Sequence, residues 1–206
     1  MFIAELSSEC LGEQSASAVN RLIRLRLMVQ MSLRPARVRF VQSLKSRSFE
    51  FLYGHWKVHN RKLRDVADPS CEDWVEFDAS SEVFPILGGI GHVDRIYVPS
   101  PSDGEPFEGF TLRLYEPSTE TWRIWWSSTR APGRLDPPVG GRFVGEEGTF
   151  ECDDVIDGRH VKVRFEWRAN DVAPSWRQFF SYDEGASWTL NWEMNLTRSD
   201  QPHVEH

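Results

Sequence analysis

Two ionisable side chains, at positions 92 and 94, have a spacing that could support acid–base chemistry. His92 and Asp94 are two residues apart, so on a strand they share one face and could act together as acid and base. A structural hydrogen bond between them is the simpler alternative. Glu166 and Glu193 are further candidates for the same role in a small cofactor-independent enzyme, such as a cyclase, isomerase or hydrolase.

A second set of residues has the chemistry to bind a ligand rather than to transform one. Trp125 interrupts a polar stretch between Arg123 and Ser127, and the other face of the same predicted strand already carries Trp122 and Trp126. A Trp on this second face can stack on a ligand beside the Arg and Tyr of the preceding strand, or pack against the N-terminal segment or a second subunit. The predicted ligand contacts are Trp125, Arg113, Tyr115, Arg142, Gln178 and Asn191.

The polar side chains of the predicted strands leave two orientations open. They can project into the lumen of a barrel, where a pocket needs a few fixed polar groups among aromatic ones, or they can face water. The residues concerned are Asp94, Arg113, Arg142, Arg164, Glu166, Gln178, Asn191 and Glu193.

The elements that must position these residues are short strands. After Ser48, stretches of alternating apolar and polar residues are separated by Gly, Pro, Asp and Ser. The pattern predicts an all-β, antiparallel up-and-down barrel of about eight to ten strands, because sequence neighbours usually pair and closure removes exposed edges. A sandwich is the alternative. The predicted strands cover residues 56–63, 74–78, 90–98, 110–115, 122–127, 139–144, 148–153, 160–168, 176–181 and 188–196.

Two segments carry more specific expectations. In residues 110–115, the apolar side chains Phe110, Leu112 and Leu114 are expected to form the dry face of a strand. Residues 181–188 read Ser-Tyr-Asp-Glu-Gly-Ala-Ser-Trp and resemble the Asp-box hairpin of sialidase propellers. A single copy without a blade-length repeat predicts a stabilised turn with Trp188 anchored in the core, rather than a sialidase-like function.

Charge divides the chain near Ser48. Eight basic and three acidic residues precede it, a net charge of +5, which leaves −12 for the rest of a chain whose total is −7. An acidic domain repels phosphate backbones, so we expect no nucleic-acid partner. Residues 1–46 are predicted to be a basic leader, poorly ordered or forming a short helix, before a barrel domain at 47–200 and a tail at 201–206.

Several function classes are disfavoured by what the sequence lacks. It has no Gly-rich phosphate loop, no nucleophile elbow and no metal-binding pair of histidines. Cys10, Cys71 and Cys152 have no spacing typical of a disulfide framework or a zinc site, so no metal is expected. No stretch approaches the roughly 18 apolar residues of a membrane span. The protein is predicted to be cytoplasmic.

The segment at residues 54–56, Gly-His-Trp, resembles the Gly-x-Trp signature of the first strand in calycins, the lipocalin-like barrels. Five further segments strengthen the likeness when taken in order, and together they resemble an uncharacterised bacterial family of lipocalin-like barrels over residues 49–198. The resemblance implies a barrel with a cavity, and it implies no reaction. The five segments are residues 87–94, 110–115, 122–126, 135–143 and 181–192.

Some calycin-like barrels bind haem through one histidine, so the resemblance adds haem as a minor hypothesis for His55, His59, His92 or His160. The leading hypothesis is that a small apolar or aromatic molecule binds in a Trp-lined cavity, with no cofactor. The enzyme described above is one alternative. The other is a homodimer of barrels whose lumen is filled by side chains.

Overall fold

Ten antiparallel strands close into a barrel in the computed structural model of the chain, which describes residues 49–101 and 104–200. Each strand pairs with its neighbours in sequence, and the last strand pairs with the first. The predicted all-β up-and-down barrel is therefore confirmed. The predicted leader at 1–46 and tail at 201–206 lie outside the described residues. No helix in the described ranges is long and apolar enough to cross a membrane.

A 3-10 turn, Phe49–Leu52, precedes the strands, and a shorter one, Leu87–Gly89, lies between the second and third strands. The strands are β1 (Gly54–Leu63), β2 (Trp74–Ile86), β3 (Gly91–Val98), β4 (Phe107–Glu116), β5 (Thr121–Ser128), β6 (Val139–Val144), β7 (Glu147–Ile156), β8 (Arg159–Arg168), β9 (Ser175–Ser181) and β10 (Thr189–Arg198).

The predicted end of β2 at Asp78 is wrong, because the strand continues to Ile86. The polar run after Asp78 conceals alternation of small residues: Ala79, Ser81 and Val83 are buried. These side chains leave room in the lumen for larger residues of β3, with which this part of β2 pairs.

The orientation predicted for β4 is also wrong. Thr111 and Arg113 are buried inside the barrel, whereas Phe110 on the opposite face is exposed and Leu112 is half-buried. The strand turns its polar side inward because Arg113 finds a charged partner there, Asp94 of β3. Burial of a charge is tolerated when the charge is paired in this way.

One end of the lumen is closed by the 3-10 turn. Phe49 and Leu52 are fully buried, and Phe51 is nearly so. The Trp56 indole Nε1 donates a hydrogen bond of 2.6 Å to the Leu52 carbonyl, and the Arg198 guanidinium donates to the Phe51 carbonyl at 3.0 Å. The turn is thereby tied to both β1 and β10. We call this region the closed end.

The β9–β10 connection has the hydrogen bonds expected of an Asp-box turn. Asp183 accepts from the backbone N–H and the hydroxyl of Ser187, at 2.8 and 2.6 Å, and from the Ser181 hydroxyl at 2.8 Å. These bonds hold the pKa of Asp183 at about 2, with the Ser187 hydroxyl contributing most. The predicted core position of Trp188 is wrong, because its ring lies half-buried under Arg164, 3.8 Å from the guanidinium carbon.

Candidate functional site

The half of the lumen away from the closed end contains a cavity of about 500 Å³. This volume is within the range of small-molecule pockets. Alternate residues of β5, β8, β9 and β10 supply its wall because successive side chains on a strand point to opposite faces. The aromatic lining residues are Trp126, Phe165, Trp167, Trp176, Phe180 and Trp192.

Arg113 is the most deeply buried charge in the cavity wall, with 2% of its side chain exposed. Its Nη2 donates a hydrogen bond of 3.0 Å to Oδ2 of Asp94, and the Ser81 hydroxyl donates to Oδ1 of Asp94 at 2.7 Å. Both carboxylate oxygens therefore have a donor. The three residues come from β4, β3 and β2, which are adjacent in the sheet.

The same guanidinium keeps two donors free. Arg113 Nε and Nη1 have no hydrogen-bond partner among the described residues, although both atoms are buried. The guanidinium carbon lies 5.0 Å from the centroid of the Phe49 ring and 5.5 Å from that of Trp167. The aromatic rings provide cation–π contact and do not accept the two N–H groups in the way an oxygen would.

A second polar pair lies on β9 and β10. Gln178 lines the cavity and donates from Nε2 to Asn191 Oδ1 at 2.9 Å. A bulge between Leu190 and Trp192 shifts the register there, and Asn191 is buried. Its Nδ2 has no partner among the described residues. Of the residues predicted to contact a ligand, the structure thus brings Arg113 and Gln178 to the cavity wall, and Asn191 is hydrogen-bonded to Gln178.

The mouth of the cavity is acidic. Asp136, Asp154 and Asp157 line it, and we call these three residues the mouth acids. Partial burial, followed by repulsion from Asp154, raises the pKa of Asp136. Burial and the charges of Asp154, Asp153 and Asp136 raise the pKa of the nearby Cys152 thiol to about 12, so Cys152 is a neutral wall residue at pH 7.

His92 lies at the closed end and is not part of the cavity wall. Its side chain is fully buried between Trp122, at 4.8 Å between ring centroids, and Phe49, at 6.0 Å. Nε2 is 3.0 Å from the Tyr53 hydroxyl, and Nδ1 has no partner among the described residues. Burial, and then repulsion by Arg113, lower the pKa of His92 to about 3, so the ring is neutral at pH 7.

The four candidate acid or base residues do not form one site. The hydrogen bonds of His92 and Asp94 go to different residues, Tyr53 for one and Ser81 with Arg113 for the other. Glu193 is paired with Arg61 at 2.9 Å, and both side chains are partly exposed. Glu166 is 4.0 Å from Arg164 and does not line the cavity. Of the four, Asp94 alone lines the cavity that the described residues form.

Besides Asn191, three predicted ligand contacts do not line the cavity. Trp125 lies on the opposite face of β5 from Ile124 and Trp126, which do line it. Tyr115 packs against Trp122 at 5.2 Å. Arg142 is exposed in a shallow depression on another part of the surface, with Arg123 and Glu151.

Outside the barrel, Trp125 belongs to an apolar row. The strand register pairs Phe84 of β2 with Val93, Val93 with Leu112, and Leu112 with Trp125. Phe84 is exposed, and Leu112 and Trp125 are half-buried. We call these four residues the outer apolar row. Its existence explains what Trp125 packs against, which the sequence did not reveal.

The four histidines named for the haem hypothesis do not offer a ligand to an iron in the cavity. His59 is half exposed and hydrogen-bonded to Asp78 at 3.0 Å, His55 is 4.0 Å from Glu82, and His160 is exposed. His92 is inside the barrel but is enclosed by Phe49, Tyr53 and Trp122. The described residues therefore do not fit haem held through one of these histidines. They also contain no group of three or more His, Cys, Asp or Glu that could hold a metal ion.

Comparisons with known proteins support the fold alone. No family model and no curated protein matches the chain. Solved structures do match, among them the crystal structure of Rv2717c from M. tuberculosis, with a TM-score of 0.51 and 12% sequence identity. The match covers 77% of this chain and 96% of that one. The chain is thus similar to a protein of known structure over nearly the whole length of that protein.

Proposed function

We propose that the protein binds a small, largely apolar or aromatic molecule in the barrel cavity. The observation that carries this proposal is a buried Arg113 guanidinium with two unpartnered N–H donors in the wall of an aromatic cavity of about 500 Å³. A buried donor without an acceptor costs about 1–3 kcal/mol. A ligand that supplies the acceptor offsets this cost while its rings bury apolar surface against the tryptophans.

The hollow lumen favours binding over the alternatives. A structural barrel that only mediates assembly needs no cavity, since filling the space with side chains would stabilise it. The enzyme hypothesis has less support because its candidate residues are dispersed, and Asp94 already has a donor on each oxygen. We also propose a relationship to bacterial calycins, from the sequence resemblance, and a cytoplasmic location, from the spacing of the cysteines.

Binding is tested with N-phenyl-1-naphthylamine, an uncharged fluorescent probe, on the full chain. We expect saturable fluorescence enhancement with one site per chain. Ile124→Trp places a large ring in the cavity wall and should weaken binding at least ten-fold, whereas Leu112→Trp on the outer face should leave it unchanged. Melting curves verify that both variants fold. If Ile124→Trp does not fold, Val163→Phe replaces it as the lumen variant.

Two results would overturn the proposal. One is the absence of saturable binding to the wild-type protein. The other is unaltered binding to a folded lumen variant, which would locate the probe elsewhere. Native mass spectrometry of the purified protein, with an absorbance scan for a Soret band, adds an independent test of what the protein retains and of the haem hypothesis.

The homodimer hypothesis stays a prediction, now attached to the outer apolar row. Sedimentation velocity of the full chain tests it. Leu112→Asp should shift a dimer to a monomer, and Val172→Asp, at an exposed apolar residue outside the row, should not. A wild-type monomer at all concentrations would contradict the hypothesis.

A further inference from the structure

We propose that the ligand is an uncharged aromatic molecule that presents a carbonyl-type oxygen to Arg113, and that the cavity discriminates against carboxylates. This inference rests on the proposed function and specifies its ligand class. Three features of the cavity carry it: the pairing of Arg113, the geometry of its free donors, and the charge of the remaining wall.

The positive charge of Arg113 is already neutralised inside the barrel. Asp94 accepts from Arg113 Nη2 at 3.0 Å, and Ser81 occupies the other carboxylate oxygen at 2.7 Å. With 2% and 15% of their side chains exposed, the two residues form a pair largely shielded from water. A ligand therefore meets an ion pair with no net charge, rather than an isolated cation.

The donors that remain are Nε and Nη1 of Arg113. The two donors point to different sides of the planar guanidinium, because Nη1 lies on the Cδ side and the Nε hydrogen lies on the Nη2 side. One carbonyl oxygen can therefore accept from one of them without adding a net charge. A carboxylate oxygen could accept the same hydrogen bond, but its own charge would be removed from water and held near Asp94. Burial of an ion is costly unless a free countercharge compensates it, and Asp94 already occupies that role.

The rest of the wall adds to the discrimination. The ionisable groups that line the cavity are four carboxylates and three cations: Asp94, Asp136, Asp154, Asp157, Lys62, Arg113 and Arg134. Their formal sum is negative before any ligand enters. Lys62 lies over the Trp192 ring, with Nζ 4.5 Å from the centroid. At the mouth an anion meets three carboxylates and one cation, Arg134, and once inside it increases the negative charge of the lumen, whereas a ketone or amide carries no charge to be repelled.

Three naphthalenes of nearly equal shape test the ligand class by displacement of N-phenyl-1-naphthylamine: 2-acetylnaphthalene, 2-isopropenylnaphthalene and 2-naphthoate. The first has a carbonyl, the second replaces its oxygen with CH₂, and the third is an anion at pH 7. We expect the ketone to bind about five- to ten-fold more tightly than the alkene, as one net hydrogen bond allows, and at least ten-fold more tightly than the carboxylate.

Asp94→Asn tests the reason for the discrimination. The substitution leaves Arg113 with an uncompensated charge, so the affinity for 2-naphthoate should rise at least ten-fold relative to that for the ketone. Glu193→Gln is the matched control, because it breaks an Arg–carboxylate pair on the outer face and should leave the ratio unchanged. If Asp94→Asn does not fold, Arg113→Lys is the second variant, and it should abolish the advantage of the ketone over the alkene.

The outcomes separate this inference from the proposed function. Tighter wild-type binding of the carboxylate than of the ketone overturns the inference, and so does equal binding of ketone and alkene. An unchanged ketone-to-carboxylate ratio in folded Asp94→Asn overturns the role of Asp94. In each case the uncharged probe still binds and the proposed function stands. Failure of the probe itself to bind overturns both.

Discussion

The two ends of the barrel interior use the same residue types in different ways. At the closed end, the Phe49 ring has six other aromatic or imidazole rings within 6.1 Å, centroid to centroid. At the open end, tryptophan and phenylalanine rings surround about 500 Å³ of space. A side chain from outside the strands fills the first region, and among residues 49–101 and 104–200 none fills the second. The barrel thus separates a packed region from a hollow region along its axis.

Arg113 lies where the two regions meet. Its guanidinium covers the Phe49 ring on one side and forms part of the cavity wall on the other. The charge of Arg113 is paired with Asp94 of the neighbouring strand, whereas the aromatic rings of the closed end offer it no countercharge. We expect substitutions at the closed end to affect chiefly stability, and those at the open end chiefly binding.

Truncation of Phe49 at the closed end should have the largest effect on stability. Phe49→Ala should lower the free energy of unfolding by about 3–5 kcal/mol, since it leaves a cavity among fixed rings. Phe165→Ala, on the half-buried cavity wall, should cost about 2 kcal/mol because fewer contacts are lost. Urea unfolding of both variants measures the difference, and equal losses would contradict the contrast between the ends.

Close packing at the closed end extends to the backbone. A Cβ at Gly141 of β6 would overlap the Thr149 carbonyl, whereas one at Gly140 would lie 3.9 Å from its nearest neighbour, the Trp122 carbonyl. Gly141→Ala should therefore destabilise the protein by about 3 kcal/mol, and Gly140→Ala by less than about 0.5 kcal/mol. Thermal melting of the two adjacent variants tests this, and a well-tolerated Gly141→Ala would indicate a looser wall.

His92 should make stability depend on pH. Its pKa is about 3 when folded and about 6.5 in the unfolded chain, so between these values the unfolded state binds more protons. Stability should fall as the pH is lowered through this window, by about 1.5 kcal/mol from pH 6.5 to pH 5. Unfolding curves of the wild type and of His92→Gln at several pH values measure the contribution of His92. It is the difference between the two proteins in how steeply the free energy of unfolding changes with pH. Parallel pH profiles would show that His92 is not buried in its neutral form.

Asp136 at the open end should show the opposite pH dependence and the smallest effect. Because its pKa is raised in the folded protein, its ionisation opposes folding at neutral pH. Its exposure to water screens the effect. Asp136→Asn should therefore stabilise the protein by a few tenths of a kcal/mol at pH 7, and the gain should vanish below pH 4. Stability measurements at both pH values check the sign, and destabilisation at pH 7 would contradict it.

Much of the fold could be predicted because antiparallel strands with short turns leave a period of two in the sequence. All ten strands occur where they were predicted. The extent of β2 was missed because Ala79 and Ser81 are small rather than apolar, and small side chains in a lumen leave a weak pattern. The face of β4 was missed because the arginine buried there depends on an aspartate on another strand, a partnership that the spacing within one strand does not encode.

The candidate site was predictable to the same limited degree. Arg113 and Gln178 were identified because they lie on the less apolar face of predicted strands, a pattern that fits the lumen and also fits a face in water. For Trp125 the sequence left a cavity position and a packing position open, because its neighbours, such as Leu112, are set by the register of adjacent strands. Ser81 and the mouth acids were not identified at all. Their role depends on which part of the lumen stays hollow, and that is decided by how far the 3-10 turn at the closed end fills it.

The closure of the barrel bears on how quickly it forms. Nine of its ten strand pairings join consecutive strands, and each can arise as a hairpin within a short stretch of chain. The tenth joins β1 to β10, where Arg61 meets Glu193 across 132 residues. The loop entropy of that pairing is lost in one step and is recovered only when the lumen is enclosed. We therefore expect the β1–β10 seam to be the last contact to form during folding and the first to open under force.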